Sequence, residues 1–429
     1  MNATNANALS VSTPAGARDA VTPQRSRLSL VDRFARRLLS SRLASLQYGR
    51  IRIADASGEL DFAGAEPGPD ATVTVASPRF YRSLALHGTL GAAESYMRGE
   101  WTADDLTALV RLLTRNRRVW ESSEPLRTPL RTPQLRVLEA LRRNTRRGAR
   151  RNIHGHYDLG NDFFALFLDP TMSYSCAYFE SPEATLEEAS RAKIDLVCRK
   201  LELRPEDHLL EIGTGWGELA LHAASRFGCR VTTTTISQEQ HDLASRRVQE
   251  AGFADRITLL RKDYRDLDGT FDKLVSIEMI EAVGDRYFDA YFRAVSDRLA
   301  PHGLALIQAI TIEDQSYEQA RRSTDFIKRY IFPGSCIPSV TALLDSTTRS
   351  SDLRLVDLED ITPHYARTLR EWRSSFLANL TRVRALGFSE EFVRMWEYYL
   401  SYCEGGFAER YIGDVQLLFA KPLWGGTTC

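Results

Sequence analysis

From about residue 150 the chain alternates short apolar, β-branched runs with longer stretches whose apolar residues recur every three or four positions. Read by period, this predicts helices at 185–202, 217–227, 238–251 and 285–299, with strands at 208–212, 229–236, 256–260, 272–277 and 303–310. Strands that alternate with helices form βαβ units, hence a mostly parallel sheet covered on both faces. The run Val231-Thr232-Thr233-Thr234-Thr235-Ile236 suits a central strand, and helices rich in Trp, Tyr and Phe follow over 367–404. The first hundred residues pattern differently. Leu30, Phe34, Leu38 and Leu39 recur at helical spacing among Arg33, Arg36, Arg37 and Arg42, an amphipathic helix read as core-packing before membrane-anchoring. Strand-like stretches at 49–53 and 72–75 and helical patterns at 78–98 and 104–113 complete a small α+β domain over 26–115. Residues 1–25 read as a disordered leader, and 116–150, with Pro125, Pro129 and Pro133, as a linker running into a basic helix. No internal repeat is visible.

Composition permits rather than decides. At 429 residues two domains are the natural expectation, and 43% hydrophobic with 26% charged residues is ordinary for a globular chain. No apolar run reaches the ~18–20 residues of a transmembrane helix. Six scattered cysteines, with no CxxC pair, argue against a zinc site or a disulfide framework and for a reducing cytoplasm. The zero net charge hides segregation: Arg111 to Arg151 holds thirteen arginines against Glu121, Glu124 and Glu139. Such a block is either a solvated linker or a surface for a polyanion. Without interleaved aromatics to stack bases, nucleic acid is the weaker partner, and an anionic membrane surface the better one.

The strand His208-Leu209-Leu210-Glu211-Ile212 ends in Gly213-Thr214-Gly215-Trp216-Gly217, followed directly by a helix. Glycines at a strand-to-helix turn let backbone approach a ligand closely and leave helix N-terminal N–H groups free. The G-x-G-x-G spacing differs from the G-x-G-x-x-G of dinucleotide binders. With Glu211 ahead of it and Asp263 after the third strand, the arrangement resembles class I methyltransferases. That resemblance implies a Rossmann-like sheet holding S-adenosylmethionine. It assigns the cofactor to Tyr174, Ser175, Glu211, Gly213, Gly215, Gly217, Thr235, Ile236, Gln240, Asp263 and Tyr264. The acid that usually ends the second strand is absent, which leaves the ribose to Gln240 within Thr235-Ile236-Ser237-Gln238-Glu239-Gln240.

Four further segments are dense in specific residues: 156–164 (HYDLGNDFF), 174–179 (YSCAYF), 276–284 (SIEMIEAVG) and 330–334 (YIFPG). Together with the glycine loop they resemble the cyclopropane-fatty-acyl-phospholipid synthase family, which includes the mycolic acid methyltransferases. The resemblance runs from about 150 to 420, implies a methyltransferase domain over 151–429, and extends weakly into the N-terminal domain. It implies methyl transfer to the cis double bond of a phospholipid acyl chain through a carbocation, closing to a cyclopropane. The cation needs a dry pocket and aromatic faces, for which Tyr157, Phe163, Tyr174, Tyr178, Tyr365 and Trp372 are available. A base must then remove a proton from the added methyl.

By the same resemblance that base is a bicarbonate ion, and its cage falls on Cys176, Glu281, Gln308, Ile310 (through its backbone) and Tyr365. Without the resemblance Cys176 would read as a small buried hydrophobe and Glu281 as a helix N-terminal acid. Two positions depart from the family: Gln308 stands where it has histidine, and Ala282 replaces the histidine after the glutamate. Glutamine can hold an anion but cannot relay a proton. Both departures resemble the branch that makes methylene- or methyl-branched fatty acids, the alternative product. A reading of another class, a lipid-binding membrane adaptor without turnover, is opposed by the complete glycine loop. A methyltransferase of RNA or a polar metabolite is opposed by the aromatic-rich motifs. The resemblance implies unsaturated phospholipid chains and a homodimer as partners, to which the arginine block adds an anionic membrane surface reached from the cytoplasm; no metal is expected.

Overall fold

A computed structural model describes residues 28–121 and 159–426. The expected leader, most of the arginine-rich linker, His154, His156 and Tyr157 lie outside them.

In the N-terminal part, α1 (Leu30–Leu43) starts from a reciprocal capping box between Ser29 and Asp32. The strands β1 (Tyr48–Asp55), β2 (Gly58–Ala63), β3 (Glu66–Val75) and β4 (Trp101–Ala103) form a sheet ordered β2-β1-β3-β4. Helix α2 (Arg79–Met97) is broken at Gly88, whose φ of 60° and ψ of −142° are non-helical, and α3 (Leu106–Arg115) follows β4. The short β2 and β4 were not legible: β2 pairs at an edge and buries none of its residues, so period-2 patterning is lost. On α1, Ala35 and Leu43 are buried, whereas Leu30, Val31 and Phe34 are exposed beside exposed Leu86 of α2. The core-packing reading of this helix therefore holds only for its inner stripe.

The larger sheet is ordered β10-β11-β9-β8-β5-β6-β7. Strands β5 (His208–Ile212), β6 (Arg230–Thr234), β7 (Ile257–Leu260), β8 (Phe271–Ile277) and β9 (Leu299–Ile312) run parallel. Strands β10 (Arg354–Asp360) and β11 (Ile412–Ala420) add antiparallel pairings, β11 sitting between β9 and β10. This is the Rossmann-like α/β class expected, with two strands more than the pattern revealed. Strand β10 exposes nearly every residue and reads as loop.

The helices α4 (Leu186–Lys200), α5 (Glu218–His222), α6 (Gln238–Glu250) and α7 (Phe288–Arg298) cover the sheet. The predicted helix 217–227 is α-helical only to His222, where one π-helical turn (Ala223–Phe227) takes over. Two long helices, α8 (Thr362–Ala378) and α9 (Glu390–Ala408), join the two parts of the chain. A Cβ on Gly405 of α9 would come within 2.5 Å of Val110 on α3, so that glycine permits the close crossing. Across the same boundary Tyr96 donates to Glu397 (2.9 Å), Thr107 donates to Glu404 (3.1 Å), and Arg111 and Arg115 pair with Glu409. One continuous hydrophobic core accordingly runs from Ile51 and Trp101 through Trp396 to Trp372 and Tyr365.

Candidate active site

The glycine loop leaves the C-terminal end of β5. Gly213 and Gly215 hold φ of 105° and 52°, in the region that L side chains avoid. The loop is pinned by Gly213 and Thr214 N–H groups donating to the Thr234 carbonyl at 3.0 and 3.1 Å. A Cβ on Gly215 would meet nothing within 4 Å, because the residue faces a cavity of about 850 Å³. The third glycine has a different task. Gly217 is the left-handed residue before α5, and a Cβ there would press to 3.1 Å on Ala244 of α6; it is not among the residues lining the cavity.

The other expected cofactor residues, Tyr174, Ser175, Glu211, Thr235, Ile236, Gln240, Asp263 and Tyr264, all line that cavity. Glu211 is buried and accepts from Thr233 Oγ1 at 2.5 Å; burial pushes its carboxyl up to about 8. Buried Lys193, bonded through Nζ to Ser175 (2.9 Å), pulls the other way, and its own pKa is lowered by burial. Gln240 accepts from Thr235 Oγ1 at 2.8 Å. The Asp263 carboxylate is gripped by Arg265 at 2.7 and 2.6 Å, which fixes its orientation. A cationic ligand suits this end: a buried carboxyl group with one hydroxyl donor and open space above a glycine fit S-adenosylmethionine.

Of the expected catalytic residues, Glu281, Ile310 and Tyr365 line the cavity, whereas Cys176 and Gln308 are fully buried and do not. Ile310 N–H donates to Glu281 Oε1 at 2.5 Å; Glu281 Oε2 is buried without a partner. Burial, reinforced by neighbouring Glu278, pushes Glu281 up to about 8. The Cys176 thiol is held well above its ordinary value by burial and by Asp414 and Glu278, and stays protonated. Gln308 Nε2 donates to Glu278 Oε1 (2.8 Å) and Asp414 Oδ2 (3.1 Å), and its Oε1 accepts from Gln416 (3.1 Å).

Sequence reasoning missed Glu278 and Asp414. Glu278 accepts from Cys176 N–H (2.8 Å), Gln308 (2.8 Å) and the Tyr365 hydroxyl (2.5 Å), and its pKa is raised by burial. Its φ of 47° is uncommon for a residue with a side chain. Asp414 on β11 is raised well above the carboxylate range by burial and by Glu278 and Glu281. Among the aromatics, Tyr174 and Tyr365 face the cavity with Phe332, Tyr399 and Phe407. Phe163 and Trp372 are core, and the Tyr178 hydroxyl donates to Glu359 instead (3.3 Å).

Comparison with known proteins decides what this arrangement belongs to. Residues 144–417 match the family model for mycolic acid cyclopropane synthetase. The chain belongs to that family. A tuberculostearic acid methyltransferase of Mycobacterium tuberculosis is 44% identical over 344 residues, 78% of this chain and 79% of its own length. The cyclopropane-fatty-acyl-phospholipid synthase of Escherichia coli is 36% identical over 358 residues, covering 83% and 89%. A solved cyclopropane synthase of Mycobacterium tuberculosis superposes with a TM-score of 0.60 at 32% identity, covering 63% of this chain and 98% of its own. A mycolic acid cyclopropane synthase solved with SAH and CTAB gives the same TM-score at 33% identity, again over 63% and 98%. This family member is an S-adenosylmethionine-dependent methyltransferase. Among the described residues no helix is long and apolar enough to cross a membrane, and no cluster of His, Cys, Asp and Glu could hold a metal.

Proposed function

We propose that this chain transfers the methyl group of S-adenosylmethionine to the cis double bond of an unsaturated acyl chain of a membrane phospholipid. The observation that carries the reading is the cavity itself. It runs without interruption from the glycine loop and the Glu278–Glu281 end to an apolar passage lined by Leu38 and Leu39 of α1 and Leu84 and Ala85 of α2. An acyl chain fits such a lining, and a polar metabolite does not.

The bound cofactor supplies an electrophilic methyl on a sulfonium sulfur. Glu211 and the Gly213–Gly215 backbone would hold its methionine part, with Gln240 and Asp263 at the nucleoside. Tyr174, held through its hydroxyl to Tyr399 (2.9 Å), and Tyr365, stacked on Phe407 at 4.2 Å, present ring faces near developing positive charge. The apolar surroundings exclude water that would otherwise trap a cation.

Of the two products, a methylene branch has the better support than a cyclopropane. Gln308 cannot relay a proton, which slows deprotonation and lets a hydride shift compete. The 44%-identical relative carries the name of a methyltransferase, not of a cyclopropane synthase. Exposed Leu30, Val31, Phe34 and Leu86, beside exposed Arg33 and Arg37, make the outer face of α1 and α2 the part that meets an anionic bilayer. The test supplies methyl-tritiated S-adenosylmethionine with vesicles of dioleoyl or dipalmitoyl phosphatidylglycerol. Label in the lipid extract of the unsaturated vesicles alone is expected; equal label in both, or none, refutes the proposal.

A further inference from the structure

Three hydrogen-bond donors converge on one carboxylate at the inner end of the cavity. Cys176 N–H and Gln308 Nε2 reach Glu278 Oε1, both at 2.8 Å, and the Tyr365 hydroxyl reaches Oε2 at 2.5 Å. These are three of the groups that the family resemblance assigns to bicarbonate. Of the remaining two, Ile310 N–H is given to the other, Glu281. An anion added here would find its donors taken and would lie between two carboxylates, so bicarbonate does not fit the site this chain builds.

The backbone records the same substitution. Glu278 follows β8 with a φ of 47°, where glycine is the usual occupant, and its N–H donates to the Gln308 carbonyl at 2.8 Å. Gln308 thus holds Glu278 by both backbone and side chain. The surrounding contacts keep a side-chain-bearing residue in an unfavourable conformation, and what that conformation achieves is to put a carboxylate among the three donors.

We propose that Glu278 is the catalytic base of this chain, a built-in carboxylate standing where a cage of these residues would hold bicarbonate. The claim rests on the acyl-methylation reading above. Glu278 lines the cavity and so can touch the reacting carbon. After methyl addition and a hydride shift from the methylated carbon to the neighbouring cationic carbon, a C–H bond of the new methyl breaks. Its proton passes to Glu278, and its electron pair becomes the exocyclic double bond. Where the hydride has not shifted, the same pair closes the ring. Glu278 suits the role better than Glu281 does, because three donors favour its ionised form against one for Glu281. Asp414, bridged to Glu278 by the Gln308 amide, accepts one of the two Gln308 donations.

The test compares wild type with Glu278→Gln and Glu278→Gly in carbon-dioxide-free buffer. Thermal unfolding and calorimetry with S-adenosylhomocysteine confirm that each variant folds and keeps its cofactor site. Glu278→Gln should lose about 100-fold or more in turnover on dioleoyl phosphatidylglycerol vesicles, as loss of a general base does. Wild type should turn over equally with and without bicarbonate and should bind no ¹³C-bicarbonate by NMR titration. Glu278→Gly should bind it, and regain turnover as bicarbonate is added. Wild type that binds bicarbonate or needs it for turnover overturns the proposal, as does full turnover by Glu278→Gln. The bicarbonate titration needs no lipid. A wild type that methylates no acyl chain therefore counts against the proposed function, while the titration still decides the claim about Glu278.

Discussion

The two ends of the cavity stand on the same parallel sheet and solve opposite problems. At the β5 end, the glycine loop leaves room beside it: Gly215 faces empty space, and Glu211 is a buried carboxyl group bonded to a single hydroxyl. At the β8–β9 end the donors are satisfied within the protein, by Glu278 and Glu281. A region that leaves open space above a glycine turn has room for a ligand that comes and goes. One whose donors are already taken by its own carboxylates has no donor left for an added anion, although Glu281 Oε2 stays unpartnered.

The hardest blow to the open end is Gly215→Val. Its side chain would project into the space above the loop, and the affinity for S-adenosylhomocysteine should fall by at least ~100-fold. An added Cβ meets no atom within 4 Å, but valine at a φ of 52° strains the loop, so the variant should fold with a lowered melting temperature, measured alongside the affinity. Unchanged calorimetric affinity would take the loop out of the site.

At the closed end, Gln308→His with Ala282→His gives Glu278 an imidazole neighbour that can take its proton onward. The product ratio should shift several-fold toward cyclopropane, read by gas chromatography of acyl methyl esters. A ratio that stays put would show that Gln308 does not set the branch.

A smaller effect separates the two ends by pH. Glu211 and Glu281 are both pushed up to about 8 in the fold, against about 4.3 in an unfolded chain. Between those values the folded chain holds protons that the unfolded chain has released, so apoprotein stability falls as pH rises from about 4.3 to about 8. Melting temperature should drop by a few degrees across that window. S-adenosylhomocysteine should relieve the Glu211 share and leave that of Glu281, and Glu211→Gln should make the apoprotein's slope shallower without abolishing it. A flat wild-type profile would contradict the burial argument.

The mildest change lies outside both ends. Phe34→Glu on the exposed face of α1 should weaken cosedimentation with anionic vesicles a few-fold and leave cofactor affinity alone. Equal binding would move the membrane contact elsewhere. Of the arginine block, Arg111 and Arg115 are paired with Glu409 and Arg117 with Glu313, so these three carry less free charge than the sequence suggested.

How much of this was legible before the structure follows the same division. The parallel strands and the glycine loop were plain, because buried β-branched runs and a G-x-G-x-G turn leave local signatures. The residues expected at the cofactor followed from position on that frame, and all of them line the cavity except Gly217, which packs against α6. The closed end was half legible. Cys176, Glu281, Gln308, Ile310 and Tyr365 could be named from motifs, but their hub could not. Glu278 lies within a motif already assigned to Glu281, and only a backbone turned to a φ of 47° brings its carboxylate round. Asp414 and Gln416 belong to β11, whose pairing with β9 spans more than a hundred residues of chain. The shared core of α3, α8 and α9 was hidden for the same reason, since periodicity says which face of a helix is apolar and not what covers it.

The most direct test of the account feeds the wild-type enzyme S-adenosylmethionine bearing a CD3 methyl, with dioleoyl phosphatidylglycerol, and analyses the acyl chains by gas chromatography–mass spectrometry. Acyl chains heavier by one CD2 unit are expected, because one deuteron of the transferred methyl leaves with the base, with a methylene branch as the main product. Chains that keep all three deuterons, or that carry no label, would contradict it.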